Sequence, residues 1–290
     1  MHEIVFISGK GGTGKTSITA SFAYLLADKC VVADCDVDAA NMHLLLDPVK
    51  LSEEDFYSGV VPGIDYNRCN NCGACADVCR FNAINEQDGK YAINIIDCEG
   101  CGYCARVCPS GAIIMEENNV GKYFVSNTRL KNTMVHAHLK IGAENSGKLV
   151  AKVKKEAVHA AKNNGKEFVL VDGSPGIGCP VISSLSGADF VVIVTEPTVS
   201  GFHDLKRVYE LVKKFGLKAG CIINKSDLNL NITNEISCYL DEEKIVHLSD
   251  IKYDQSFSKA IIEGKTIAEY NPGIAEQLSE NWTEIISHLN

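Results

Sequence analysis

Eight of the thirteen cysteines fall into two copies of one spacing, Cys69-Cys72-Cys75-Cys79 and Cys98-Cys101-Cys104-Cys108. Each copy reads C-x2-C-x2-C-x3-C, and each cysteine of the second lies 29 residues after its counterpart. Three thiols within seven residues, twice, force the backbone into tight loops around a common point. Thiolates so placed are ligands for soft metal centres. A zinc ribbon is the first alternative, but it usually joins two C-x2-C pairs across a longer stretch to make one tetrahedral site. A disulfide framework is the second, and it is disfavoured if the chain stays in a reducing compartment.

That compartment is what the rest of the chain predicts. The start, Met1 to Ile7, is too quickly interrupted by glycines to read as a signal peptide, and no run of eighteen apolar residues occurs. A cytoplasmic protein with no membrane association is therefore expected. The 290 residues, 46% hydrophobic and 22% charged, are enough for a full core and a second domain. A formal charge of -9 argues against a nucleic-acid partner. The basic run from Lys148 to Lys155 has helical spacing and reads as a solvated face.

Short β-branched runs recur along the chain: Ile4 to Ser8, Cys30 to Asp34, Phe168 to Asp172, Phe190 to Thr195, Ala219 to Asn224 and Ile245 to Leu248. They are apolar on both faces and alternate with helical patterns at Lys15 to Asp28, Gly147 to Asn163, Gly201 to Phe215 and Ile274 to Leu289. The pattern predicts an α/β fold with a doubly wound, mainly parallel sheet. The cysteine region breaks the rhythm and reads as an inserted small α+β domain, residues 62–117, within a discontinuous domain of residues 1–61 and 118–290. The last helix carries Glu276, Glu280 and Glu284 on its polar face and no cation. That is wrong for an anionic bilayer, so the helix is expected to dock on the core.

Gly9-Lys10-Gly11-Gly12-Thr13-Gly14-Lys15-Thr16 follows the first strand and opens the first helix. In that context the backbone N–H groups of Gly11, Gly12, Thr13, Gly14, Lys15 and Thr16 point at phosphates, aided by the helix dipole. Lys15 is expected on the β- and γ-phosphate oxygens and the Thr16 hydroxyl on Mg2+. The early lysine makes the loop resemble the deviant Walker A loop of the P-loop ATPase class containing MinD, ParA, the Mrp-type iron-sulfur carriers and the nitrogenase iron protein. The resemblance implies that Lys10 acts in trans on a dimer partner's nucleotide. It also implies ATP as the nucleotide and either a homodimer or a heterodimer with a related chain.

Two further segments carry the same resemblance. Val32-Ala33-Asp34-Cys35-Asp36-Val37-Asp38 looks like the first switch, with Asp36 orienting the attacking water or the Mg2+ shell and Asp34 and Asp38 in support. Val171-Asp172-Gly173-Ser174-Pro175-Gly176 looks like the second, with Asp172 holding Mg2+ through water and the Gly176 N–H sensing the γ-phosphate. Asn224-Lys225-Ser226-Asp227 resembles the adenine-side asparagine of the class, although it also spells the N-K-x-D pattern of many GTPases.

The cysteine repeat has the spacing of bacterial-type two-cluster ferredoxins, in which the fourth cysteine of each run serves the other cluster. That assigns Cys69, Cys72, Cys75 and Cys108 to one [4Fe-4S] cluster and Cys98, Cys101, Cys104 and Cys79 to the other. Cys79-Arg80-Phe81-Asn82-Ala83-Ile84 parallels Cys108-Pro109-Ser110-Gly111-Ala112-Ile113, as in a duplicated ferredoxin. Arg80 departs from the pattern, which has proline there, and a nearby cation favours the reduced state. Of the other cysteines, Cys30 and Cys221 read as small buried hydrophobes. Cys179 sits where the nitrogenase iron protein has one of its cluster ligands, but the second such position, near Gly142 to Lys148, offers Ser146 and no cysteine. An interface cluster is therefore not expected, and Cys179 is left as a redox or transfer thiol.

Taken with the resemblance, the expectation is an ATPase coupling nucleotide-driven switching to electron transfer through two [4Fe-4S] clusters, with a redox partner or metalloenzyme acceptor. The alternative is a cluster carrier or metal-cofactor maturation factor of the Mrp type. Ligase chemistry of the cobyrinic acid diamide synthase kind shares only the fold.

Overall fold

The computed structural model describes residues 1–37, 40–140 and 146–289. In chain order its elements are β1 (His2–Ile7), α1 (Lys15–Leu26), β2 (Cys30–Asp34), α2 (His43–Leu46), β3 (Val49–Ile64), α3 (Ala74–Asp77), β4 (Ile84–Gln87), β5 (Lys90–Ile93), α4 (Tyr103–Val107), β6 (Ile113–Asn127) and β7 (Thr133–Leu139). They continue with α5 (Ser146–Asn163), β8 (Phe168–Asp172), α6 (Cys179–Leu185), β9 (Phe190–Thr195), α7 (Val199–Lys214), β10 (Ala219–Asn224), α8 (Leu230–Glu243), β11 (Val246–Ile251), α9 (Ser256–Ile262), α10 (Ile267–Tyr270) and α11 (Pro272–Ser287).

The chain divides into two compact units. The first is Met1–Glu54, Tyr123–His138 and Ser146–Asn290, and the second is built on Asp55–Lys122. The main sheet has the order β11-β10-β9-β1-β8-β2-β7-β6-β3. Every pairing from β11 across to β7 is parallel, and helices cover the strands. This is the doubly wound α/β architecture that the sequence predicts. β1, β2, β8, β9 and β10 are buried on both faces, which is why their sequences read as unbroken apolar runs.

One face of the first unit packs Ile4, Phe6, Leu170, Val192 and Ile222 against Ile18 and Phe22 of α1 and Leu278 and Ile285 of α11. Trp282 closes it, edge-on to Phe168 with ring centroids 4.9 Å apart. α11 thus spends its apolar stripe on the core, and Asn271 caps its start by accepting the N–H groups of Gly273 and Ile274. On the other side α5 buries Leu149, Val153, Ala157 and Ala161 at helical spacing. Among the described residues no helix is long and apolar enough to cross a membrane.

The second unit repeats itself in backbone as well as sequence. Asn71 and Gly100, Gly73 and Gly102, and Asn82 and Gly111 are three pairs with positive φ, each separated by the cysteine offset. α3 and α4 start at equivalent points. Its apolar core is small: Ile84, Cys104 and Ile113, packed by Ile64, Tyr91 and Ile93 among others. Pro62 and Glu117, the limits read from sequence, fall inside β3 and β6, because both strands run past the cysteine region.

Candidate functional site

The loop between β1 and α1 lies at the carboxyl end of the sheet, where neighbouring β8 and β2 also end, the position at which open α/β sheets bind ligands. α1 begins with Gly14 in the left-handed region (φ 91) and no side-chain cap, so its first N–H groups face the loop. A Cβ at Gly14 would collide with Nδ2 of Asn224. Nothing lies within 4 Å of the Cβ positions of Gly11 and Gly12, leaving the backbone there open to a ligand. The adjoining cavity, about 680 Å³, is lined by the loop with Lys15 and Thr16, by Asp36 and Asn224, and by Tyr253 and Phe257. Leu44, Leu45 and Ile261 add apolar surface to it. None of these three, nor Tyr253 or Phe257, carries a signal that marks it in the sequence.

Asp172, fully buried, gathers the polar side chains of α1. Lys15 Nζ donates to its Oδ1 at 2.6 Å, the Thr16 hydroxyl donates to its Oδ2 at 2.7 Å, and the Thr19 hydroxyl lies 3.1 Å from Oδ1. Asp34 stands beside it in register on β2. Burial first, and the Asp172 carboxylate second, push the Asp34 carboxyl well above the ordinary carboxylate range. Its Oδ1 accepts the Asp36 N–H at 3.2 Å, while Oδ2 is buried without a hydrogen-bond partner. The Thr13 hydroxyl is a second buried orphan, inside the glycine-rich loop itself. An orphaned hydroxyl donor beside an open backbone cradle fits a phosphate ligand, and Thr16 beside Asp172 is an oxygen donor set suited to Mg2+.

Three sequence-predicted residues are engaged differently from their expected roles. Lys10 lies against its own chain: Nζ is 2.8 Å from Glu196 Oε1 and donates to the Thr198 and Ser200 hydroxyls, each at 3.0 Å. The Gly176 N–H donates to the Ser8 carbonyl at 2.9 Å, so contact with a γ-phosphate requires this turn to move. Asn224 Nδ2 donates to the Thr13 carbonyl at 2.8 Å and braces the loop. Asp36 lines the cavity, and Asp38 lies outside the described residues.

Glu196, directly after β9, is the main residue that sequence reading misses. It also pairs with Lys225 at 2.7 Å, and Lys225 Nζ donates to the Gly12 carbonyl at 3.0 Å. Burial works against its ionisation, but hydrogen bonds from Lys10 and Lys225 hold its carboxyl below the ordinary range. An acidic residue closing a buried strand, followed by a helix cap at Thr198, is the only sequence signal for it.

In the second unit the eight cysteines line two separate small cavities. Cys69, Cys72, Cys75 and Cys108 surround one, and Cys79, Cys98, Cys101 and Cys104 surround the other. Each set draws three cysteines from one repeat and the fourth from the other. Among the described residues, no three potential ligands converge on one point as they do around a single ion, where zinc–sulfur distances are about 2.3 Å. Cys30, Cys35 and Cys221 are buried in the first unit, and burial pushes the Cys30 thiol up to about 12. Cys179 is exposed and opens α6. Residues 142–145, part of the segment compared with the second cluster position, lie outside the described residues.

The fold and this loop together define a P-loop nucleotide-binding protein. The chain belongs to the CobQ/CobB/MinD/ParA nucleotide binding domain family, which it matches over residues 4–267. It is 35% identical to an uncharacterized protein of Methanocaldococcus jannaschii over 98% of this chain and 96% of that one. A second uncharacterized protein of the same organism is 28% identical over 91% of this chain and 100% of its own length. The septum site-determining protein MinD of Pyrococcus horikoshii OT3, solved with Mg-ADP, superposes with a TM-score of 0.56 over 97% of this chain and 94% of that chain. Its sequence identity is 19%, so this is a likeness of fold.

Proposed function

We propose that the chain is a Mg-ATP-hydrolysing protein that couples closure of a dimer to electron transfer through two [4Fe-4S] clusters. The observation that carries the iron-sulfur half is the pair of cysteine cavities, each with four thiols in the crossed set that a duplicated ferredoxin uses. The small apolar core of the second unit supports it, because a unit of that size with so few buried hydrophobes gains much of its order from bound metal. Clusters held there would supply one-electron redox chemistry.

In the nucleotide half, Lys15 exchanges its Asp172 partner for the β- and γ-phosphate oxygens, and the N–H groups of residues 11–16 surround the phosphates. Thr16, with Asp172 acting through water, would hold Mg2+, which neutralises phosphate charge. Asp36 positions the attacking water, Asn224 braces the loop next to the base, and Lys10 leaves Glu196 for the partner's nucleotide. Release of Gly176 from Ser8 gives the second switch its two states.

Anaerobic purification, iron and sulfide analysis and EPR with and without Mg-ATP test the proposal. About eight irons per chain and a signal that responds to Mg-ATP are expected. Zinc in place of iron, or spectra indifferent to nucleotide, sinks it. Transfer of clusters to an apo acceptor during turnover would instead favour the carrier reading, which two complete ligand sets do not require.

A further inference from the structure

The iron-sulfur reading, on which this inference rests, leaves the two clusters equal, but the surroundings of the two cysteine sets are not. The internal repeat supplies the comparison. At the 29-residue offset Cys108, Ser110 and Ala112 correspond to Cys79, Phe81 and Ala83. The Ala112 N–H donates to Cys108 Sγ at 3.3 Å, and the Ser110 hydroxyl lies 3.6 Å from the same sulfur. At the Cys79 position Phe81 stands in place of the serine and its side chain has no donor to offer. Its set has the Gly100 N–H on Cys98 Sγ, at 3.5 Å.

Hydrogen bonds to ligand sulfur stabilise the more negative, reduced form of a cluster and raise its potential. Nearby cations do the same: Arg68 precedes Cys69, Arg80 follows Cys79, and Arg106 lies two residues from Cys104 of one set and from Cys108 of the other. All three are exposed and screened by solvent. Arg68 also leans over the Ser110 turn, with Nη2 3.5 Å from the Ser110 carbonyl. The sulfur donors and this cation therefore act in the same direction.

We propose that the Cys69, Cys72, Cys75 and Cys108 site has the higher potential of the two, and that Ser110 sets the gap between them. The first electron from a one-electron reductant settles at that site: the reductant loses one electron, the cluster gains it, and no proton or bond is exchanged. The Cys79, Cys98, Cys101 and Cys104 site, when reduced while the other is oxidised, loses its electron to the Cys69, Cys72, Cys75 and Cys108 site, which gains it.

The test is EPR-monitored potentiometry on the full chain prepared anaerobically, with iron and sulfide measured on every sample. Two resolved midpoints are expected in the parent protein. Ser110→Ala, at undiminished iron content, should lower the upper midpoint alone and narrow the gap, and Phe81→Ser should raise the lower midpoint alone. One shared midpoint overturns the proposal, as does a Ser110→Ala shift confined to the lower midpoint or no shift in either variant. Should Ser110→Ala lose iron, the Phe81→Ser result decides. Iron-free parent protein overturns the iron-sulfur reading itself, and iron-loaded protein with coincident potentials overturns only the ranking.

Discussion

Glu196 holds Lys10 and Lys225 at once, and this ties the early lysine of the loop to its own chain. An ion pair of this partial exposure is worth about 1 kcal/mol. Glu196→Gln should therefore free Lys10 and lower the protein concentration at which Mg-ATP drives dimerisation by about fivefold. Sedimentation velocity across a concentration series measures this, and an unchanged midpoint excludes the latch. Gly14 and Gly11 make a second pair of contrasts. Gly14→Ala meets a left-handed backbone and Asn224, so it should cost about 1–2 kcal/mol of strain and lose nucleotide binding. Gly11→Ala has open space and should keep its melting temperature while losing nucleotide affinity, because a methyl group then stands where phosphate approaches. Thermal denaturation beside equilibrium binding separates the two. The glycine-rich loop, the place of Asp172 at the end of a buried strand and the grouping of the cysteines in two crossed sets are legible in the sequence because each follows from spacing. Glu196 is not, because its significance is a contact with Lys10, which is remote in sequence.

Elements were legible in proportion to their burial. β1, β2, β8, β9 and β10 announce themselves by burying both faces. β3 escapes notice because it ends the sheet and its first seven residues are exposed, so no core imposes a sustained alternation on its sequence. α8 is similarly hidden, burying only Thr233, Ile236 and Leu240. β7 was missed because His136 and His138 interrupt its apolar run, and it gives the clearest pH dependence. His136 is buried, stacks on Phe124 with ring centroids 5.0 Å apart and meets the Ser126 hydroxyl at 3.1 Å. Burial first, then the positive charge of His138, His43 and Lys50, lower its pKa to about 4 from an ordinary 6.5. The unfolded chain then binds the proton more readily between those values. Its contribution is fully present above pH 6.5 and is lost as pH falls toward 4, with a ceiling of roughly 3 kcal/mol. Urea denaturation at pH 7 and pH 5 should show the loss. His136→Asn should flatten the dependence, and an unchanged slope in that variant would assign it to other groups.

At the scale of the whole molecule, the two units have separate hydrophobic clusters, one around α1, α11 and the parallel strands and one around Ile84, Cys104 and Ile113. Each candidate site draws all its side chains from one unit: the phosphate loop, Asp36, Asp172 and Asn224 from the first, and the eight cysteines from the second. Binding at one site therefore does not require the other, whereas coupling requires both. Cys75→Ser removes a ligand from one set and should reduce iron per chain while leaving the affinity for Mg-ATP within about twofold, since that difference is under roughly 0.5 kcal/mol. Asp172→Asn removes the negative charge and one of the two acceptor oxygens that Lys15 and Thr16 share, and it should leave iron content intact, yet make the EPR spectrum insensitive to Mg-ATP. Measuring iron, nucleotide affinity and the spectral response on both variants distinguishes a coupled machine from two domains sharing a chain. If Asp172→Asn preserves the nucleotide-dependent change in the spectrum, the signal does not pass through the second switch, and the coupling has to be sought elsewhere in the fold.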